Sequence, residues 1–173
     1  MLASVPKERV PRSTRRPTRS IGELDFGIGD KIMITSEPVV LWTATVTLLI
    51  VLFYFYTAFR VGNLRQKHGV RAPATSGHPE FDRGYRIQLN TLEQMGIVLP
   101  FLWVAAFYPI AWAWLAPLIG FIWVISRIVY LAGYMADPDK RRAGAMIGGI
   151  CNLALFVIAA IGVARIWLMP NGM

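Results

Sequence analysis

Four long apolar stretches alternate with polar segments along the chain, at residues 39–59, 97–109, 111–134 and 145–168. A membrane-spanning helix needs about 20 mostly apolar residues. The second stretch reaches that length only if its polar lead-in from Asp82 is included. No succession of alternating ten-residue segments, which a transmembrane β-barrel would need, is visible.

This pattern predicts an all-α membrane protein, because backbone N–H and C=O groups in lipid must be paired within each segment. Short connections, except the one between the first two helices, favour an antiparallel four-helix transmembrane bundle at residues 37–173. Pro100 and Pro117 fall inside the second and third helices, and we expect a mild bend at each. Gly144 and Gly148 favour close contact of the fourth helix with a neighbour.

Residues 1–36 are basic, and within them the stretch VPKERVPRSTRRPTRS is rich in proline and arginine and poor in apolar side chains. We expect a solvated, disordered tail that can touch anionic lipid head groups. Because no aromatic residue interleaves its arginines, we do not expect it to bind nucleic acid. Part of the net charge of +8 comes from this tail.

The composition and the distribution of charge indicate a multi-pass topology. Hydrophobic residues make up 55% of the chain and charged residues 16%, which is on the apolar side for a soluble protein. The loops after helices one and three share one side of the membrane and collect Arg60, Arg65, Lys67, Arg71, Arg83, Lys140, Arg141 and Arg142. The positive-inside rule places that side in the cytoplasm, although the basic tail on the other side argues the opposite.

The single cysteine and the two histidines give no sign of a special site. Cys151 cannot form an intramolecular disulfide and is treated as a small hydrophobic residue. His68 and His78 follow the first helix among basic residues, without the spacing and acidic neighbours of a metal site. We therefore expect no metal.

Polar residues recur at helical spacing in two places. Arg83, Arg86, Asn90 and Glu93 are separated by three, four and three positions and share one face of the second helix, and Gln88 lies in the same turns. On the third helix Arg127, Tyr130 and Tyr134 repeat the spacing, and Arg141 is one heptad further if that helix continues. Ionisable groups within a span are costly and usually face a bundle interior or a wet cavity, so the two stripes predict a polar site near the loop face.

These residue types suit a small ligand that has carboxylates, an amino group and a thiol. Arginine binds carboxylates bidentately, a glutamate can take an ammonium, and a further arginine can stabilise a thiolate. The alternatives are that the residues pair with one another and lock the bundle, or that single arginines extend to the interface. The combination of Arg86, Asn90 and Glu93 favours a binding site, since a purely structural span would use fewer costly groups.

The stretch GHPEFDRGYRIQLNTLEQ and the apolar run after it resemble the MAPEG family, the membrane-associated proteins of eicosanoid and glutathione metabolism. The resemblance covers residues 39–168 and rests on the Pro-Glu-Phe motif, the R-x-Q-x-N-x-x-E pattern at residues 86–93 and the R-x-x-Y-x-x-x-Y pattern at residues 127–134. Within the family, the chain is most similar to the microsomal glutathione transferases and the leukotriene-forming transferase.

The resemblance implies a homotrimer that binds glutathione, as a co-substrate, between neighbouring subunits near the cytoplasmic face. It assigns glutathione binding to Arg65, Arg86, Gln88, Asn90, Glu93, Arg127, Tyr130 and Tyr134. Arg65 would come from the neighbouring subunit. Arg141 matches the arginine that activates the thiol, with the adjacent Arg142 as the alternative.

Gln66 and Gln94 differ from the leukotriene-forming enzyme, which has an arginine and a tyrosine there. This departure argues against leukotriene synthesis as the specific activity.

The resemblance therefore implies a membrane glutathione transferase that acts on lipophilic electrophiles, and it also allows glutathione peroxidase activity on lipid hydroperoxides. The acceptor would enter from the bilayer along a crevice lined by Trp103, Phe107 and Trp123, which can equally be packing residues. Two alternatives are a non-catalytic lipid-binding protein and an accessory subunit of a larger membrane complex. The presence of Glu93 and Arg141 argues against the first.

Overall fold

The computed structural model describes residues 38–109, 112 and 114–168. It contains four helices: α1 at Pro38–Lys67, α2 at Pro79–Phe107, α3 at Leu115–Ala136 and α4 at Arg142–Leu168. All four are long and apolar enough to cross a membrane, and the described part of the chain contains no strand. The predicted all-α, four-span fold is confirmed, whereas the predicted tail at residues 1–36 lies outside the described residues.

Local sequence sets the ends of α2 and α3. His78 caps α2, because its Nδ1 accepts a hydrogen bond from the Glu80 backbone N–H, and Pro79 occupies the first helical position, where no N–H is needed. At the end of α3 the backbone becomes extended at Asp137. A short 3₁₀ turn at Pro138–Arg141 then leads into α4.

Contacts between helix ends establish the antiparallel order. The Arg83 guanidinium, near the start of α2, donates to the carbonyl of Met135, near the end of α3, at 3.0 Å. At the other end of the bundle the rings of Trp42 and Trp114 lie 6.2 Å apart. The connection at residues 68–78 and the turn at residues 137–141 therefore lie at one end of the bundle, which we call the loop end.

Helices α2 and α3 form the centre of the bundle, and α1 and α4 each pack against this pair. The main core includes Ile50 of α1, Leu102 of α2, Trp123 of α3 and Leu155 of α4, all fully buried. Large apolar side chains on the outside remain exposed, as expected for helices that face lipid. Of the two roles left open for Trp123, packing is the one observed, because the residue is 0% exposed.

The predicted close contact at Gly144 and Gly148 is confirmed. A Cβ atom on Gly144 would lie 2.6 Å from the Cα atom of Tyr130 and 2.7 Å from the carbonyl oxygen of Ser126. A Cβ atom on Gly148 would lie 3.0 Å from the Ser126 hydroxyl. The small residues thus allow α4 to approach the backbone of α3.

The two prolines differ in their positions. Pro100 lies within α2, as predicted. The expectation for Pro117 is wrong, because α3 begins only at Leu115 and Pro117 is its third residue. The first turn of a helix contains backbone N–H groups that have no intrahelical partner, so a proline there leaves no hydrogen bond broken.

Candidate functional site

A polar cavity of about 240 Å³ lies at the loop end of the bundle. Its lining residues are Arg86, Leu89, Asn90, Glu93, Tyr130, Tyr134 and Arg141. The first four come from α2, the tyrosines from α3, and the arginine from the 3₁₀ turn that follows. Six of the nine residues proposed from the sequence therefore line one cavity.

Two tyrosines of α3 and the arginine of the following turn form one side of the cavity. The rings of Tyr130 and Tyr134 meet edge to face, with their centres 5.7 Å apart. The guanidinium carbon of Arg141 lies 4.8 Å from the centre of the Tyr134 ring. The condition that α3 continues to Arg141 is not met, because α3 ends at Ala136 and the 3₁₀ turn carries Arg141 back over the tyrosine.

Arg127 lies behind this wall and does not line the cavity. Its side chain is 2% exposed, and its Nη2 donates to the Asn90 side-chain oxygen at 2.9 Å and to the Thr91 hydroxyl at 3.3 Å. Its guanidinium carbon lies 4.3 Å from the centre of the Tyr130 ring. Arg127 is thus in contact with two lining residues, Asn90 and Tyr130, and in a position to orient both.

The other two predicted residues lie outside the cavity lining. The Arg65 guanidinium donates to the backbone carbonyls of Val70 and Ala74, at 3.3 and 3.0 Å, and packs on the ring of Phe81 at 4.8 Å. Arg65 therefore contacts the α1–α2 connection of its own chain. Gln88 is half-buried on α2.

The cavity has unbalanced charges. Arg86 and Glu93 are exposed, and within the described ranges the ion pairs closer than 4 Å involve only Glu80 and Asp139 as acids. Arg86, Glu93 and Arg141 thus present two positive charges and one negative charge to the same space. Uncompensated charges on a membrane helix are costly, so a ligand or a neighbouring protein surface would stabilise them.

A second cavity adjoins the first. It has a volume of about 390 Å³ and is lined by Thr75, Ser76, Asp82, Tyr85, Arg86 and Leu89. The two cavities share Arg86 and Leu89, so Arg86 can be reached from both. Leu89 was not among the residues predicted from the sequence, although its place three residues after Arg86 put it on the same face of α2.

A third, apolar cavity of about 470 Å³ lies between the starts of α1 and α3, beside Trp42 and Trp114. None of its described lining residues is charged. It therefore does not suit a ligand that has carboxylates and an ammonium.

The histidines have an acidic neighbour that the sequence analysis did not foresee. The Nε2 atom of His68 lies 2.8 Å from a carboxylate oxygen of Glu80, and the imidazole rings of His68 and His78 stack with their centres 3.6 Å apart. The expectation that these histidines lack acidic company is wrong, because the turn between α1 and α2 folds back and brings the start of α2 to the end of α1.

Comparison with known proteins identifies relatives of the bundle. The sequence profile of the MAPEG family matches residues 43–161. Leukotriene C4 synthase of Cavia porcellus is 37% identical over 119 residues, which are 69% of this chain and 78% of that protein. Microsomal glutathione S-transferase 2 of Mus musculus is 36% identical over 126 residues, which are 72% of this chain and 84% of that protein.

A bacterial relative matches at a similar level. The uncharacterized protein sll1147 of Synechocystis is 37% identical over 123 residues, which are 71% of this chain and 88% of that protein. The profile match covers more than half of the chain and all four of its membrane helices in whole or in large part. The chain therefore belongs to the MAPEG family.

Proposed function

We propose that the chain is a membrane glutathione transferase, with glutathione as its co-substrate and lipophilic electrophiles as acceptors. The observation that carries the proposal is the cavity that combines Arg86, Glu93 and Arg141 at the loop end. Relatives named for glutathione S-transfer and for leukotriene C4 synthesis support it. The same chemistry would allow reduction of lipid hydroperoxides by glutathione.

Glutathione has two carboxylates, one ammonium and one thiol, which match the charges of the cavity. Arg86 can bind a carboxylate through two parallel N–H groups, and its place between the two cavities lets an extended ligand reach it from either side. Glu93 would take the ammonium. Ligand pockets are commonly about 300–1,000 Å³ in volume, so a tripeptide would use both cavities.

Arg141 would supply the chemical activation. A free thiol has a pKa of about 8.5 and is mostly protonated at neutral pH. A nearby guanidinium favours the thiolate, whose proton leaves to solvent. The thiolate sulfur then donates an electron pair to the electrophilic carbon and forms the C–S bond, while the leaving group departs with the electron pair of its own bond. Holding both reactants together raises their effective concentration.

The catalytic unit would be a homotrimer, with Arg65 reaching the cavity of a neighbouring subunit. The exposed charges of Arg86 and Glu93 support this assembly, because a protein surface and a bound ligand would shield them from lipid. The acceptor would enter from the bilayer beside the loop-end cavity, whereas Trp103 and Phe107 lie toward the opposite end of α2 and do not line that cavity. The loop end, with its basic residues, would face the cytoplasm.

A glutathione-dependent activity assay tests the proposal. The purified full-length chain, in detergent, should conjugate glutathione to a chloronitrobenzene electrophile and should show the ultraviolet absorbance of a thiolate on saturation with glutathione. S-methyl glutathione, which has the carboxylates and the ammonium but no thiol, should bind and not react. Absence of both thiolate and turnover, with glutathione bound, would favour the non-catalytic lipid-binding alternative.

A further inference from the structure

Three metal-ligating side chains meet where α1 ends and α2 begins, and the proposed glutathione site uses none of them. His68 follows the last residue of α1, His78 caps α2, and Glu80 lies in the first turn of α2. One ligating atom from each lies within 4.8 Å of the others, and all three residues are half-buried.

We propose that His68, His78 and Glu80 bind a divalent transition-metal ion, with Zn²⁺ as the best match. Imidazole nitrogens together with a carboxylate oxygen are a donor set that zinc commonly takes. In a tetrahedral zinc site with bonds of about 2.0–2.1 Å, neighbouring donors lie about 3.3–3.5 Å apart. The separation between His68 Nε2 and the Glu80 carboxylate oxygen, 2.8 Å, can widen to that value through a small rotation of the carboxylate.

Two features of this cluster must change when an ion binds. The imidazole planes are nearly parallel, at 10°, so their nitrogen lone pairs run side by side and one ring must tilt for both to reach one ion. The Lys67 ammonium lies 2.7 Å from the same Glu80 oxygen and would repel a cation. Its side chain is 60% exposed, so it can turn to solvent at little cost.

The three side chains together occupy only part of a tetrahedral site. A zinc ion held by three protein ligands keeps one position for water or another small donor. Three protein ligands therefore describe an open site rather than a closed structural centre, with the His68 side chain only 13% exposed.

Metal binding at this place would fix the connection between α1 and α2. The carbonyls of Val70 and Ala74, which lie in that connection, accept the hydrogen bonds of Arg65. An ion that joins His68 to His78 closes the segment between them into a loop. Because the ion binds the folded chain selectively, it raises the free energy of unfolding.

Zinc titration of the full-length chain tests the site. The protein is made without a polyhistidine tag, stripped with a chelator, dialysed in detergent and titrated with Zn²⁺ in competition with a chromophoric chelator. Wild type should bind one ion per chain. His68→Gln and His78→Asn should each weaken binding by more than about tenfold, since even residues behind a metal ligand contribute that much. His78→Asn retains a side-chain acceptor for the α2 cap, so the helix start is preserved.

A pair of lysine variants separates this site from weak binding to the protein surface. Lys67→Met removes the competing ammonium and should strengthen Zn²⁺ binding several-fold. Lys140→Met makes the same charge change in the 3₁₀ turn and should leave the affinity unchanged. Equal affinity in wild type and His68→Gln would overturn the proposal, and so would equal effects of the two lysine changes. The titration contains no glutathione, so it stands whether or not the chain is a transferase.

Discussion

The guanidinium carbon of Arg141 lies 4.8 Å from the centre of the Tyr134 ring. An arginine that packs on an aromatic face keeps its charge and gains a preferred orientation. The contact joins the turn after α3 to the last turns of α3 itself. A positive charge is thereby held at one wall of the cavity, where the proposed mechanism needs to stabilise a thiolate.

Replacement of Arg141 by alanine should separate binding from chemistry. The variant should bind glutathione with nearly unchanged affinity. Turnover with a chloronitrobenzene electrophile should fall by at least about tenfold, because loss of the guanidinium raises the pKa of the bound thiol by about one unit or more. A higher thiol pKa leaves less thiolate at neutral pH. The pH–rate profile should therefore move to higher pH, and the thiolate absorbance of the complex should fall in parallel.

Arg142 provides the matched control. Its side chain is 80% exposed and pairs with Asp139 at 3.4 Å, and it is not among the residues that line the cavity. Arg142→Ala should keep the wild-type profile. The opposite result, with loss of turnover in Arg142→Ala alone, would move the thiolate partner by one residue. If neither change alters turnover, activation by an arginine is wrong.

Replacement of Glu93 by glutamine should weaken glutathione binding. The change keeps the size and shape of the side chain and removes its charge. Affinity measured by calorimetry should fall by roughly tenfold or more, since a charge-assisted hydrogen bond contributes about 1.5–3 kcal/mol. A ligand analogue that lacks the amino group should bind wild type and Glu93→Gln equally. Unchanged affinity for glutathione itself would remove Glu93 from the site.

The apolar stretches were sufficient to predict the four helices, and the spacing of polar residues predicted much of the cavity lining. The apolar stretches are as long as the membrane requires, and the spacing of Arg86, Asn90 and Glu93 put them on one face of α2. Periodicity assigns a face of a helix, but it does not say how deep a side chain lies. Arg127 shares the face of Tyr130, yet its long side chain turns inward to Asn90.

The periodicity of hydrophobic and polar residues could not predict the turns. Arg141 meets Tyr134 because Pro138 follows the extended Asp137 and starts a 3₁₀ turn, whereas heptad counting assumed a continuous helix. The cluster of His68, His78 and Glu80 depends on the path of the chain between α1 and α2. Sequence periodicity contains no information on how such a connection folds back on itself.

Gly144 should tolerate alanine poorly. The added Cβ atom would lie 2.6 Å from the Cα atom of Tyr130, and backbone cannot move aside as a flexible side chain can. Overpacking of this kind typically costs about 1–3 kcal/mol, so thermal unfolding in detergent should occur at a lower temperature. Gly149, in the same helix, has no atom within 4 Å of its added Cβ, and Gly149→Ala should be neutral or slightly stabilising. Equal effects of the two changes would contradict close packing of α4 on α3.

The full-length chain should be a trimer in mild detergent. Arg86 and Glu93 are exposed on a membrane helix, and a neighbouring subunit would shield them more completely than lipid can. Native mass spectrometry should therefore give a mass of three copies. A stable monomer that still binds glutathione would exclude the shared-site arrangement, with Arg65 acting on a neighbour.

Arg127 should act on glutathione through Asn90 rather than by direct contact. Its Nη2 holds the Asn90 side-chain oxygen at 2.9 Å from behind the cavity wall. Arg127→Met replaces a buried charge with an apolar side chain of similar length, so stability should stay the same or rise. Without this support, Asn90 would lose its own hydrogen bond to glutathione. The dissociation constant for glutathione should therefore rise by up to about tenfold, the equivalent of one lost neutral hydrogen bond. The value of kcat at saturating glutathione should change little.

A double-mutant cycle distinguishes positioning from direct binding by Arg127. If the guanidinium only orients Asn90, then Arg127→Met should have no further effect on glutathione affinity once Asn90 is changed to alanine. Thr91→Val removes the 3.3 Å hydrogen bond from Arg127 and the 2.7 Å hydrogen bond that the Thr91 hydroxyl donates to the Ile87 carbonyl. It leaves the contact between Arg127 and Asn90 in place, so it should alter affinity less than Arg127→Met does. Independent, additive losses from Arg127→Met and Asn90→Ala would instead mean that the guanidinium acts by another route, through Tyr130 or by direct contact with the ligand, as the family resemblance implies.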